Sequence, residues 1–487
     1  MFSFLDWTVV LLYFVCMSGI GIYFSNRNKD FKDFIFGGGQ MPWLAVGISL
    51  IATSVSATTF LGNPADAFAT DMRLLQLTGG SILAIFVIGK VFIPRLRRAG
   101  IHSAYELLEI QFSRPVRLLA ASLYCCHLVL RTGLLLYVPS LVLMPILGVP
   151  MWASILIMSL VSILYTYHGG IKAVTWTDVI QFLIFTLAGL GSLWYIAQQV
   201  GSFSETWQLA AAAGKTRWLD FTFDPASDRN FWNAVLVYSV FELAIRGCDQ
   251  QFVQRYLSCR NEREANLSSL SSVFLGVVVS WIFFSVGAFL WVFYQSKHLA
   301  PLPALGVNEV FPHFILNTLP SGARGLLVAA ILAAAMSSQS SALTALSNTT
   351  VVDFLTRRNP GEMHSIHSAK KWVLIWGLLG MLAAFFCALG DVSILKKALF
   401  FTSLFIGPLL ALFLLGFFRS HLHPKAVFLS AFCGMFVLML FLDIPILPKG
   451  MWTPLYKVSW PWNPFIAMLA TVFFAHLLPP FFRKAPV

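Results

Sequence analysis

The chain has 487 residues, of which 58% are hydrophobic and 11% charged, and its mean hydropathy is +0.77. That composition excludes a soluble globular domain and a disordered chain. The net charge of +12 does not indicate nucleic-acid binding, because the basic residues are dispersed between apolar runs, as membrane topology requires.

Thirteen apolar runs approach the roughly 20 residues that cross a bilayer. They fall at about 7–25, 41–62, 75–97, 118–146, 150–167, 176–198, 231–254, 268–294, 322–347, 371–389, 397–418, 426–444 and 461–482. The first lacks a preceding basic region and a small-residue cleavage site, so it reads as a retained helix and not a signal peptide. With the N-terminus outside, the inner connections hold 21 of the 33 Lys and Arg, Arg255 among them, and the outer ones ten; Arg131 and Arg246 fall within spans. The positive-inside rule then predicts a multi-pass inner-membrane protein with the N-terminus outside and the C-terminus cytoplasmic. The seven cysteines show no metal-type spacing and predict no disulfide.

The triple glycine at 37–39, just before Met41-Pro42, predicts a tight turn ahead of the second span. That span is interrupted by Ser54, Ser56, Thr58 and Thr59 and then by Gly62-Asn63-Pro64. The seventh is interrupted by Glu242, Arg246, Gly247, Asp249 and Gln250. Matched interruptions five spans apart point to an inverted-repeat transporter with its site at the breaks. Small-residue packing faces are the other reading, and the matched spacing favours a site.

Arg131 lies deep in the fourth span with no acidic residue at helical spacing, so it needs a negative partner from a solute or from another helix. His127, one turn earlier, reads as a packed side chain. Asp178, near the start of the sixth span, either caps that helix or joins a site. Glu242 and Arg246 are four residues apart and are expected to pair with each other before contacting a solute. In the ninth span Ser337, Ser340, Ser341 and Thr344 share one face, as cation ligands or as a hydroxyl seam bonded back to the helix. No nucleophile–base arrangement, phosphate loop or zinc spacing suggests an enzyme.

Four stretches together resemble the solute:sodium symporter family: YTYHGGIKAVTWTDVIQ at 165–181, FIFGGGQMPWLAVGISLIATSVSATTFLG at 34–62, AAAMSSQSSALTALS at 333–347 and DQQFVQRY at 249–256. The resemblance runs over nearly the whole chain. RTGLLLY at 131–137 and SAYELLE at 103–109 are most similar to the family's bacterial sodium–sialic acid symporters. The resemblance implies an all-α, leucine-transporter-like fold of about 13 transmembrane helices in a single transporter domain. Two inverted five-helix repeats span 41–200 and 230–419, with an extra helix at 1–30 and C-terminal helices at 425–487.

It also implies one Na⁺ on the carbonyls of Ala52, Val55 and Ala334 and the hydroxyls of Ser337 and Ser338, and a second involving Asp178, Ser340 and Ser341. Among solute positions Ser54, Ser56, Thr59 and Arg131 fit the sialic acid pattern. Thr78 stands where that pattern has Gln, and Glu242, Arg246 and Asp249 depart from it. The expected activity is Na⁺-coupled import of a small polar organic solute, favoured to be a carboxylate-bearing sugar or similar organic anion. A neutral sugar, polyol, amino acid or vitamin in the same fold is the alternative, and a transport-inactive sensor is an alternative of another class. Na⁺, the solute and the lipid bilayer are the expected partners, with no cofactor, nucleic acid or obligate protein partner.

Overall fold

In hydrocarbon no water is present to bond exposed amides, so long apolar runs must close their hydrogen bonds internally and become helices. The computed structural model describes residues 2–25, 27–295, 306–355, 365–388, 394–442, 454–456 and 458–482. Among them the regular structure is helical, and the one β contact is an isolated bridge between Met41 and Cys259. In chain order the helices are α1 (Phe4–Ser25), α2 (Phe31–Phe36), α3 (Trp43–Ser54), α4 (Ala57–Ala69), α5 (Arg73–Arg98) and α6 (Glu106–Gln111). There follow α7 (Arg114–Leu147), α8 (Met151–Val200), α9 (Phe203–Ala212), α10 (Tyr238–Cys248), α11 (Gln250–Ser258) and α12 (Glu262–Gln295). The last six are α13 (Val310–Asn317), α14 (Ala323–Thr349), α15 (Ile366–Ala388), α16 (Ile394–Phe418), α17 (Pro424–Met439) and α18 (Trp462–Leu477).

Each of the thirteen apolar runs falls on helix. By length and apolarity alone seven helices suffice to cross a bilayer, or eight when the bent pair α3 and α4 counts as one span. The 50 residues of α8 would reach about 75 Å, more than twice a hydrocarbon core of about 30 Å. The helix is broken at Gly170, where φ is +56° and a Cβ would collide with the carbonyl of Phe34. Only glycine suits both conditions.

The core is organised on α14, where every residue from Leu327 to Asp353 is buried. It packs against α1, α7, α8 and α15. Its N-terminus is capped in trans by Asp6 of α1, whose Oδ1 accepts from the backbone N–H of Gly322 at 2.7 Å and of Gly325 at 2.9 Å. The glycine turn at 37–39 is present, with φ of 62°, 74° and 70°.

Two sequence expectations change, at Pro64 and at Arg255. Gly62-Asn63-Pro64 does not interrupt the second span but lies inside α4. The proline removes one amide bond, the one to the Phe60 carbonyl, and the helix continues through it; Gly287 of α12 lies so close to the Pro64 carbonyl that a side chain there would collide with it. The connection at 199–230 carries α9 and is pinned to the α4–α5 corner by Arg73, which bridges Asp71 at 2.9 Å and Asp220 at 2.8 Å, and by Arg229 on Asp66. Hydrogen bonds from Thr222, and then from Arg73, hold the Asp220 carboxyl at about 2. Arg255 is not an inner-surface charge but is fully buried. Of the other inner basic residues, Arg357, Arg358, Arg483 and Lys484 lie outside the described residues.

Candidate functional site

Helix α3 stops at Ser54, the chain runs extended through Val55 (φ −78°, ψ 109°) and Ser56 (φ −107°, ψ 173°), and α4 resumes at a bend of 58°. The last carbonyls of a helix have no partner within it. Serines of α14 fill that role: the Ser337 hydroxyl donates to Ala52 O at 3.0 Å and Ala334 O at 3.3 Å, and the Ser338 hydroxyl to Thr53 O at 3.4 Å and Ala334 O at 3.3 Å. Four of the five groups predicted for the first Na⁺, from Ala52, Ala334, Ser337 and Ser338, thus converge, and Val55 forms the break beside them. These are neutral oxygens at the negative end of a helix dipole, a setting that suits a small hard cation.

One turn along both helices lies a second polar layer. Asp178 Oδ2 accepts from the Ser49 hydroxyl at 2.5 Å and from Arg255 Nη2 at 3.0 Å. Arg255 also donates through Nη2 to Ser341 Oγ at 2.6 Å, through Nε to Ser49 Oγ at 2.7 Å and through Nη1 to Gln251 O at 2.9 Å. Neither charged side chain has any exposed surface. Asp178 therefore caps no helix; it lies eight residues past the Gly170 break, inside α8. Its other oxygen, Oδ1, is buried with no hydrogen-bond partner among the described residues. Ser340 of the same predicted set bonds back to Ser337 O at 3.1 Å. Sequence reasoning missed Arg255, Ser49 and Thr53, which touches Ser341 Oγ at 2.9 Å. Arg255 did carry a usable signal, because it lacks an acidic residue at helical spacing just as Arg131 does.

The seventh span is broken as predicted, at Asp249 (φ −75°, ψ 125°) between α10 and α11. Asp249 caps α11 by accepting from Gln251 N at 2.7 Å, and the orphaned Cys248 carbonyl receives the Tyr105 hydroxyl at 3.2 Å. Glu242 and Arg246 pair with each other, and Tyr238 and Ser272 complete their bonding. Their contacts account for both charges without a solute. Arg131 forms no ion pair among the described residues, and its buried Nη1 has no hydrogen-bond partner there. The Thr78 and Ser54 hydroxyls bond to their own helices, at Leu75 O (2.7 Å) and Leu50 O (3.1 Å). Ser56 and Thr59 stand at the start of α4, against which α7, the helix of Arg131, packs. The side chain of Thr58 lies outside the described ones.

The description of sodium:solute symporters as a family matches residues 34–436. The chain belongs to the sodium:solute symporter family. It is therefore a multi-pass membrane protein that couples solute movement to sodium. The chain is 32% identical to the sodium/sialic acid symporter SiaT of Proteus mirabilis, over 86% of this chain and 85% of that one. It is 30% identical to the human sodium/iodide cotransporter (88% and 68%) and 29% to the mouse sodium-coupled monocarboxylate transporter 2 (84% and 68%). Among solved structures, a Na⁺-coupled sialic acid symporter in a substrate-bound, outward-open state superposes with a TM-score of 0.88 at 28% identity over the whole of both chains. The nucleobase–cation symporter Mhp1 superposes with a TM-score of 0.60 at 12% identity, covering 92% and 96%, and shares the leucine-transporter-like fold.

A buried ion pair loses most when one partner is removed, because the other charge is stranded. Asp178→Asn should therefore lower stability by about 3–5 kcal/mol through the stranded Arg255. The double change Asp178→Asn with Arg255→Met should recover much of that loss. Thermal unfolding of the purified variants measures both, and a double variant no more stable than the single one would show that the pair is not the source of the loss.

Proposed function

We propose that this symporter imports a small organic anion, favoured to be a carboxylate-bearing sugar, driven by sodium held at the α3 break. The observation that supports the anion is the buried Arg131 Nη1, which has no hydrogen-bond partner, on a guanidinium that forms no ion pair among the described residues. A charge in such a place costs several kcal/mol unless a counter-charge compensates it, and its planar fork suits a carboxylate. Relatives named for sialic acid, monocarboxylates and iodide handle anions, which agrees with this reading. Na⁺ is the coupling ion, and no cofactor enters.

In this reading the halves at 41–200 and 230–419 are inverted repeats that rock about the two breaks. Na⁺ binds first at Ala52, Val55, Ala334, Ser337 and Ser338, the solute docks at Ser54, Ser56, Thr59 and Arg131, and both are released inside. The orientation in the inner membrane, N-terminus outside, rests on the basic residues: with the buried Arg255 set aside, the inner connections still hold twice as many as the outer ones.

Three outcomes test these assignments. Replacing Ser337 and Ser338 together by Ala removes two oxygens from a desolvated ion, each worth about 1–3 kcal/mol. The Na⁺ concentration for half-maximal uptake into proteoliposomes should rise at least tenfold, and an unchanged value would remove the site. Arg131→Lys should weaken uptake of the anion and Arg131→Ala nearly abolish it, with a larger loss for the acid than for a neutral analogue of the same shape. Equal losses would make Arg131 a strut and favour a neutral sugar or polyol. The partnerless Asp178 Oδ1, with Ser340 and Ser341 nearby, supports a second Na⁺, so flux ratios across liposomes should give two Na⁺ per solute; a ratio of one excludes it.

A further inference from the structure

At the end of the bundle read as cytoplasmic, where α16, α17 and α18 meet α6 and α7, two cavities share Pro424 at the start of α17. The larger, about 730 Å³, is lined by polar groups of Gln111, Ser420, His421, His423 and His476. The smaller, about 290 Å³, is walled by Pro115, Phe428, Leu429 and Phe482, with Lys425 beside them. The rings of His423 and Phe482 stack at 5.5 Å, so a polar chamber and an apolar one stand on two sides of a common wall.

No carboxylate lines either cavity. The acids nearest along the chain, Glu106 and Glu109, are bonded to Arg117. Lys425 forms no ion pair among the described residues, nor do Arg114 and Arg419, each next in the chain to a lining residue. The imidazoles do not make a metal site, because the described residues hold no group of His, Cys, Asp or Glu arranged to bind one. His423 Nδ1 accepts from Lys425 N at 3.3 Å, which leaves the other ring nitrogen as a donor. With the Gln111 amide, the Ser420 hydroxyl and the Lys425 ammonium, the walls offer donors and positive charge, the complement of an anion.

The apolar side decides which kind of anion. Leu429, Phe432 and Phe436 are exposed on one face of α17, so a stripe facing hydrocarbon begins in the wall of the apolar cavity. A soluble anion leaves that cavity and stripe unused, whereas a phospholipid fits both, since basic pockets at the ends of membrane helices take acidic headgroups. We propose that the two cavities together hold one acidic phospholipid, its phosphate in the polar chamber beside Lys425 and one acyl chain along Phe428, Leu429 and Phe482. The site lies apart from the residues assigned to sodium and solute and does not rest on those assignments.

Native mass spectrometry of the purified, delipidated protein, titrated with phosphatidylglycerol or phosphatidylcholine, counts bound lipids and gives their affinities. One phosphatidylglycerol should bind about tenfold tighter than phosphatidylcholine, the gain of a charge-assisted contact. Lys425→Gln should abolish that preference. Leu429→Gln, at an exposed position, should weaken both lipids by the same factor and keep the preference. Lys371→Gln, which removes an exposed cation elsewhere on the same side, should change neither affinity. A wild type without preference, or a Lys425 variant that keeps it, overturns the proposal. So does a Lys371 variant that loses as much as the Lys425 one, because the attraction then belongs to the basic surface as a whole, and so does a Leu429 variant that binds both lipids as the wild type does. Glycerol 3-phosphate that displaces phosphatidylglycerol at equal concentration would make the occupant a soluble phosphate compound and overturn the lipid assignment.

Discussion

A helix that stops inside hydrocarbon leaves carbonyls and amides with no water to bond them. The architecture of this protein follows from where those groups find partners. At the α3 break they find the hydroxyls of Ser337 and Ser338. At the α10 break they find Tyr105 and the capping Asp249. The serines and Tyr105 come from other elements, so these breaks are fully bonded only when the bundle is assembled, whereas Asp249 caps α11 from within the break itself. A hydroxyl that donates to a carbonyl can turn its lone pair to a cation instead, and the same oxygens can then serve a protein bond or an ion at little cost in geometry.

The fully buried Arg255–Asp178 pair is the second constraint. Its desolvation is large, and the low-dielectric attraction repays it only because both partners are also bonded to Ser49 and one to Ser341. The layer ties α3, α8, α11 and α14 together one turn from the Ser337 and Ser338 hydroxyls, through Thr53 and Ser341. A displacement of α3 would therefore disturb the ion pair as well as the bonds of Ser337 and Ser338.

The motifs that the family resemblance supplied in order are distributed over these same layers. Gly170 makes the break within α8, and DQQFVQRY carries both the cap, Asp249, and the buried cation, Arg255. Glu242 and Arg246, conspicuous by their charge, instead satisfy one another. Charge within a span is thus a sign of either a site or a strut, and only the partners tell which.

Local chemistry was enough for much of this. Hydropathy marked the helical runs, because backbone satisfaction in a bilayer depends on the segment alone, and the polar residues at 54–59 and 242–250 marked both breaks. The serines of the ninth span stood out for the same reason, as more hydroxyls than a packing seam needs. What the sequence by itself could not decide is which charges meet. Asp178 could be a cap or part of a site and Arg255 looked like an inner-surface residue, since neither has a partner within a turn; their contact joins positions 77 residues apart. Likewise Gly62-Asn63-Pro64 looked like a break, yet α4 runs through it. Helix formation depends on neighbours a turn away, whereas pairing of buried charges depends on which helices touch, and that was decided only by the tertiary packing around α14.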